Sequence, residues 1–341
     1  MKRIVAAFAA ALLCAGGATA VPADGPDQAI IEGSTLPRKL SDFGLFRRGT
    51  AELANGVAPY DLHTPLFSDY ADKARGIWLP AGGKAQVRAD GTIDFPRGTV
   101  LVKSFSWPGH NGGRPVETRL LIHRSDGWVA LPYVWDADGS DATLAVGGRR
   151  LPVDMAGADG AARTISYAVP NKNQCKECHS EKGSIVPIGP KARNLMFAPA
   201  WQGFAAGRFA WPAQRPASLP RWDDPASGSV AERARAYLDV NCAHCHNPAG
   251  SASNSGLFLR WTDDPAGVNY GIEKRPTAAG RGSGGMEFAI RPGHPEQSFL
   301  LYRLESLDPG IAMPEVGRVT VHREGQDLLR QWIAEMPESK H

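Results

Sequence analysis

The sequence has no apolar run long enough to cross a bilayer. Its most hydrophobic stretch, Ile4 to Cys14, stops well short of the ~20 residues a spanning helix needs. Nor does it carry a surplus of one charge. Its 38 Lys and Arg face 35 Asp and Glu, a formal +3, too little for the broad basic field of a nucleic-acid-binding surface. No H-E-x-x-H sequence and no Ser, His, Asp order suggests hydrolytic chemistry. Cysteine and histidine are scarce, five and nine in 341 residues. What is plentiful is apolar content, 43%, with 38 Gly and 27 Pro. That composition excludes wholesale disorder and long coiled coils, and predicts about two loop-rich domains.

The N-terminus reads as an export signal. Lys2 and Arg3 precede the apolar Ile4 to Cys14, and Ala18-Thr19-Ala20 is a small-residue cleavage site. A signal peptide is therefore expected over 1–20 and a linker over 21–40, with the mature chain periplasmic. Cleavage would remove Cys14 and leave four cysteines.

Those four form two pairs, Cys175-Lys176-Glu177-Cys178-His179 and Cys242-Ala243-His244-Cys245-His246. Structural disulfides suit an oxidising compartment but give no reason for the following histidine. A zinc ribbon would bring its knuckles closer together in sequence than these. The spacing C-x-x-C-H is that of covalent c-type haem, in which two thiols join the porphyrin and the next imidazole ligates the iron. Two such histidines arising by chance has odds on the order of 0.0007, given the scarcity of histidine. Two covalently bound c-type haems are the expected cofactors, with His179 and His246 as axial ligands and His244 a spacer.

Around the second motif the pattern is helical. Ser229-Val230-Ala231-Glu232 is a capping box opening a helix toward Cys242, with Val230, Ala234, Tyr237 and Leu238 on one face. Pro295 to Leu304 predicts a short helix with Leu300, Leu301 and Leu304 inward. Leu328, Leu329, Trp332, Ile333 and Met336 make a final apolar stripe. Met313, stiffened by Pro314, precedes that stripe and is the expected sixth ligand of the second iron.

Residues 229–341 resemble a class I cytochrome c domain. The run Arg291 to Ser298, through Met313-Pro314 to Trp332-Ile333, is similar to cytochrome c modules of large bacterial multidomain proteins. From about residue 41 onward the chain resembles a bacterial family of exported di-haem c-type cytochromes. Tyr60-Asp61-Leu62, Asn241 to Gly250 and Ala279 to Gly285 carry that likeness.

The first motif is less regular. Thr164 to Val169 alternates as a strand and leads directly into Cys175. Ile188-Gly189-Pro190 looks like the Gly-Pro segment whose carbonyl orients the proximal imidazole in cytochromes c. Met196 is the nearest candidate sixth ligand, with Met155, His63, His110, His123, Met286 and His294 behind it. An open sixth position is the other expectation.

Residues 41–170 hold short apolar segments between Gly, Pro and Asp turns, the texture of a β sandwich or barrel. Its Trp78, Trp107, Trp128 and Trp135 are expected in core and strand-edge positions. The glycine run 280–285 lacks a βαβ context and is expected to be a packed loop, with Arg275 or Arg281 near a propionate. The expected fold is α+β and multidomain: a β-rich domain at 41–170, a first haem segment at 171–225, and a mainly α-helical cytochrome c-like domain at 226–341. The expected function is relay of single electrons between redox partner proteins docked by the β domain. The rival is a di-haem peroxidase or oxidase with an open first haem.

Overall fold

The structure, a computed structural model, describes residues 25–157, 159–277 and 279–338. The signal read over 1–20, with Cys14, lies outside them.

The strands, in chain order, begin with β1 (Ala58–Pro59), β2 (Asp61–Leu62), β3 (Asp72–Trp78), β4 (Ala85–Val87) and β5 (Ile93–Asp94). Then come β6 (Val100–Ser106), β7 (Pro115–Arg124), β8 (Gly127–Trp135), β9 (Ala142–Leu144), β10 (Arg149–Ala156) and β11 (Ala162–Val169). Short pieces follow: β12 (Ser180–Glu181), β13 (Ser184–Ile185), β14 (Leu195–Met196) and β15 (Phe209–Ala210). The α-helices are α1 (Gln28–Glu32), α2 (Lys172–His179), α3 (Gln202–Arg208), α4 (Val230–Asn241), α5 (Phe299–Glu305) and α6 (Arg323–Ala334).

Sheet dominates. Six antiparallel strands run in the order β1-β3-β6-β7-β8-β9. The sheet is open, with β1 and β9 at its edges, so it is not a closed barrel. Alternation gives it two faces. One buries Trp78, Val100, Val102, Leu120, Ile122, Leu131 and Tyr133 under α1 and the segment 40–45. Asp27 caps α1 by accepting from the backbone of Ala29 and Ile30, and Ile31 is fully buried. The tail of the expected linker is thus packed against the sheet, where Arg124 Nε donates to the Ile31 carbonyl at 3.0 Å.

The other face has three layers. At one end Ile77, Leu101 and Leu121 pack with β4, β15 and Leu195. At the other, Phe105 and Val134 pack with the β10-β11 hairpin through Val153, Met155 and Tyr167. Between them lies a polar row, described below. Trp78, Trp107 and Trp135 are core residues, and Trp128 stacks on His123.

The C-terminal segment corrects the expected fold. The described residues of 226–341 do not form a mainly α-helical domain. They contain three α-helices of 12, 7 and 12 residues, and the long stretch between α4 and α5 is loop and single 3-10 turns. The reason is local: Gly256, Gly271, Gly280, Gly284, Gly285 and Gly293 all sit at positive φ, which breaks helical propagation. The three helices still share a core of Tyr237, Leu238, Leu301, Leu329, Trp332 and Ile333. The molecule as a whole is built on its large antiparallel sheet.

Candidate cofactor site

The first motif rides on α2. Asn171 accepts from Gln174 N at 2.9 Å, and Gln174 Oε1 accepts from Asn171 N at 3.0 Å, a reciprocal capping box. It starts a helix at Lys172 that carries Cys175, Cys178 and His179 on its last two turns. The Asn-x-x-Gln signal was readable in the sequence, where only the preceding strand was expected. After the helix, β12 and β13 form a hairpin turning at Lys182 and Gly183, both at positive φ. That turn returns Val186 to the imidazole, and His179 Nδ1 donates to the Val186 carbonyl at 2.8 Å. The orienting carbonyl is thus Val186, not the expected 188–190 segment. This bond assigns the ring proton to Nδ1 and leaves the Nε2 lone pair for a metal. Burial pushes His179 down to about 4, so the ring is neutral at neutral pH.

The second motif follows α4. Ser229 and Glu232 make the expected capping box, with Ser229 Oγ accepting from Glu232 N and Glu232 Oε2 accepting from Ser229 N. The chain leaves the helix at Cys242 and coils back, with His246 N donating to the Cys242 carbonyl at 2.9 Å. Asn247 Nδ2 closes the coil onto the carbonyls of Ala243 and His244. Gly250 is required there, because a Cβ would fall 2.3 Å from the Cys245 carbonyl oxygen. His246 Nδ1 donates to Ser255 Oγ at 3.2 Å, and that hydroxyl donates in turn to the Ala252 carbonyl at 2.7 Å. Burial lowers His246 as well, again leaving a neutral imidazole.

A cavity of about 430 Å³ opens here, lined by Cys178, Cys242, Cys245, His246, Leu300 and Met313 among others. That volume is in the range of small-molecule and cofactor sites. Met313 reaches it from a loop held at its backbone. Met313 N donates to the Arg303 carbonyl at 3.0 Å, and Arg318 donates to the Met313 carbonyl from Nη2 at 2.7 Å and Nε at 3.1 Å. Arg318 also holds the carbonyls of Ser306 and Thr320.

The two motifs are neighbours. Lys182 N donates to the Ala249 carbonyl at 3.1 Å, and the ligand atoms of Cys178, His244 and Cys245 lie within 4.8 Å of one another. The hydrogen bond between the two thiols raises Cys178 and holds Cys245 toward its thiolate, with His244 and Ser251 adding to the latter. Burial raises Cys175 and takes Cys242 up to about 12.

The remaining candidates are mostly committed elsewhere. Met196 lies in β14 opposite Asp61 and outside the cavity lining. Met155 is core, His123 Nδ1 bonds the Phe95 carbonyl, and His110 contacts Asp154. His294 sits between Glu296 and Glu338, and Met286 is not in the lining. Arg275 pairs with Glu287 and Arg281 with Asp308, so each has a protein carboxylate. The loop 280–285 packs on α5, where Gly282 and Gly284 leave room for Arg303 and Tyr302.

The donor set suits c-type haem. Each motif presents two thiols and a neutral imidazole with a free Nε2, and the second adds a thioether on the same cavity. Among the described residues no helix is long and apolar enough to cross a membrane. No protein-family model matches the chain, and neither does any curated protein sequence or any solved structure.

Proposed function

We propose that the chain is an exported, periplasmic di-haem c-type cytochrome that relays single electrons between redox partners. The observation that carries this reading is the meeting of Cys242, Cys245, His246 and Met313 on one cavity. Cys175, Cys178 and His179 would hold one haem, and Cys242, Cys245, His246 and Met313 the other. Bound haem iron supplies reversible one-electron transfer. The chain's own residues do the rest. Val186 and Ser255 set the tautomers of the two imidazoles. Arg303 and Arg318 hold the Met313 loop, and Leu259, Phe299, Leu300 and Leu304 give the cavity an apolar wall. A thioether and a neutral imidazole as the iron's donors would favour the reduced state, which suits a relay.

The test is the pyridine haemochrome spectrum of protein expressed with a haem-attachment system. Two c-type haems per chain are expected, and one each in Cys175→Ala/Cys178→Ala and Cys242→Ala/Cys245→Ala proteins. A second reading rests on the Cys178, His244 and Cys245 cluster, a compact thiolate and imidazole set for a soft or borderline metal such as zinc. Protein without haem but with stoichiometric zinc would establish that reading and remove the first.

A further inference from the structure

The middle layer of the sheet's second face is a row of cations. Strand register sets Arg75 directly opposite Lys103, and Lys103 directly opposite Arg119. Like charges facing each other across strands are destabilising, so the row needs a counter-charge. Two of its members have one. Arg119 grips Glu117 through Nε at 2.6 Å and Nη2 at 2.9 Å, and Arg75 Nη1 bonds Asp61 at 2.9 Å. The Asp61 side chain is 68% exposed, while that of Arg75 is only 4% exposed. Arg75 Nε is buried with no acceptor at all.

Lys103, in the centre, has no carboxylate within ion-pair distance among the described residues. Its Nζ lies 5.0 Å from the centre of the Phe105 ring, which also carries the Arg119 guanidinium at 4.4 Å. Burial, with Arg75, Lys73 and Arg119 nearby, pushes Lys103 well down from the ordinary lysine range. Lys73, lowered to about 8 mainly by burial, adds a fourth cation on the same face. The row is also near the first motif: α2, which carries it, packs against β8, the strand paired with β7 at Arg119. At that range Lys103 and Arg119 both act on His179.

We propose that Arg75 and Lys103 form a binding site for a carboxylate or small oxyanion, seated on the sheet next to His179. The site has one buried guanidinium nitrogen without an acceptor and, opposite it, a lysine amine with no carboxylate in ion-pair reach, which a bound anion would hold protonated. Two sources share this chemistry: a propionate of a haem attached at Cys175 and Cys178, and a free oxyanion reaching the site from solution. Only the first source rests on the di-haem reading.

Both are tested on the purified full chain. Thermal unfolding is followed against added acetate and sulfate, and the midpoint potentials of both haems are measured for wild type, Lys103→Met and Lys103→Arg. For a free oxyanion, one titrant raises the wild-type melting temperature saturably. Its affinity then falls about tenfold or more in Lys103→Met and is kept in Lys103→Arg. For a propionate, the titrations are silent. The potential of one haem then falls in Lys103→Met and returns in Lys103→Arg, because a nearby cation favours the reduced iron. Lys103→Gln serves as a second neutral variant, and removing an amine that has no ion pair should leave folding intact. Saturable stabilisation in protein that holds no haem would keep the anion site and remove the di-haem reading. Silent titrations together with unchanged potentials would overturn the site itself.

Discussion

The carboxylate of Asp69 accepts from Thr320 twice, Oδ1 taking Thr320 N at 2.8 Å and Thr320 Oγ1 at 2.7 Å, and from Val319 N at 2.9 Å. Asp69 lies just before β3 of the large sheet and is 1% exposed, while Thr320 follows the Met313 loop. The sheet thus anchors the loop that brings a thioether to the cavity. Asp69→Ala leaves these donors without an acceptor and should cost roughly 2–3 kcal/mol in urea unfolding. In haem-loaded protein it should also weaken the sulfur-to-iron charge-transfer band. An unchanged band and midpoint would separate the anchor from the loop.

Arg318 acts on the same loop from inside, holding the carbonyls of Met313, Ser306 and Thr320. Lysine cannot span three carbonyls as a planar fork does. Arg318→Lys should therefore lower the charge-transfer band and the potential of one haem, leaving total haem content at the wild-type value. Potentiometric titration checks this, and two unshifted potentials would contradict it.

His322 should make stability depend on pH. Its ring stacks on Phe67 at 4.1 Å and its Nδ1 shares a hydrogen bond with Tyr237 Oη at 3.0 Å. Trp222 and Tyr70 pack at its edges, Glu324 lies 3.9 Å away, and Lys73 and Asp223 act from farther off. Burial lowers it from 6.5 to about 4. The unfolded chain therefore binds the extra proton first as pH falls, so stability present above pH 6.5 is lost toward pH 4. The loss attributable to this group is about 3 kcal/mol. His322→Phe keeps the stacking and should reduce the slope of stability against pH across that window by one proton. A slope equal to wild type in urea melts at pH 4.5, 5.5 and 6.5 would contradict the assignment.

Leu329 is fully buried where α6 meets α4, among Tyr237, Leu238 and Ile333. Leu329→Ala should cost about 3 kcal/mol through lost burial and the cavity left behind. Chemical denaturation measures it. A cost below ~1 kcal/mol would mean the C-terminal core collapses around the gap.

Short-range features were legible in the chain. The C-x-x-C-H spacings, the Ser229 and Glu232 capping box, the strand before Cys175 and the apolar faces of α4, α5 and α6 depend on neighbours within a few residues. The Asn171 and Gln174 box was equally local, though it stood next to a strand pattern and was overshadowed by it. The amount of helix was not legible. Apolar stripes announce a helix but do not measure the glycine-rich loops between stripes, and here those loops displace the helical domain that the resemblance implied.

The sequence by itself therefore determined which candidate donors stand at fixed spacings: four thiols, two imidazoles and a methionine. Only the tertiary structure decided which partners those groups meet. Val186 rather than the following Gly-Pro segment orients His179, because a hairpin turn folds it back. Arg75, Lys103 and Arg119 form a row because strand register aligns them. Asp69 meets Thr320 from 251 residues away. Hydrogen bonds and charge pairs form between atoms a few ångströms apart, and no local pattern specifies which distant residues folding will bring to that distance.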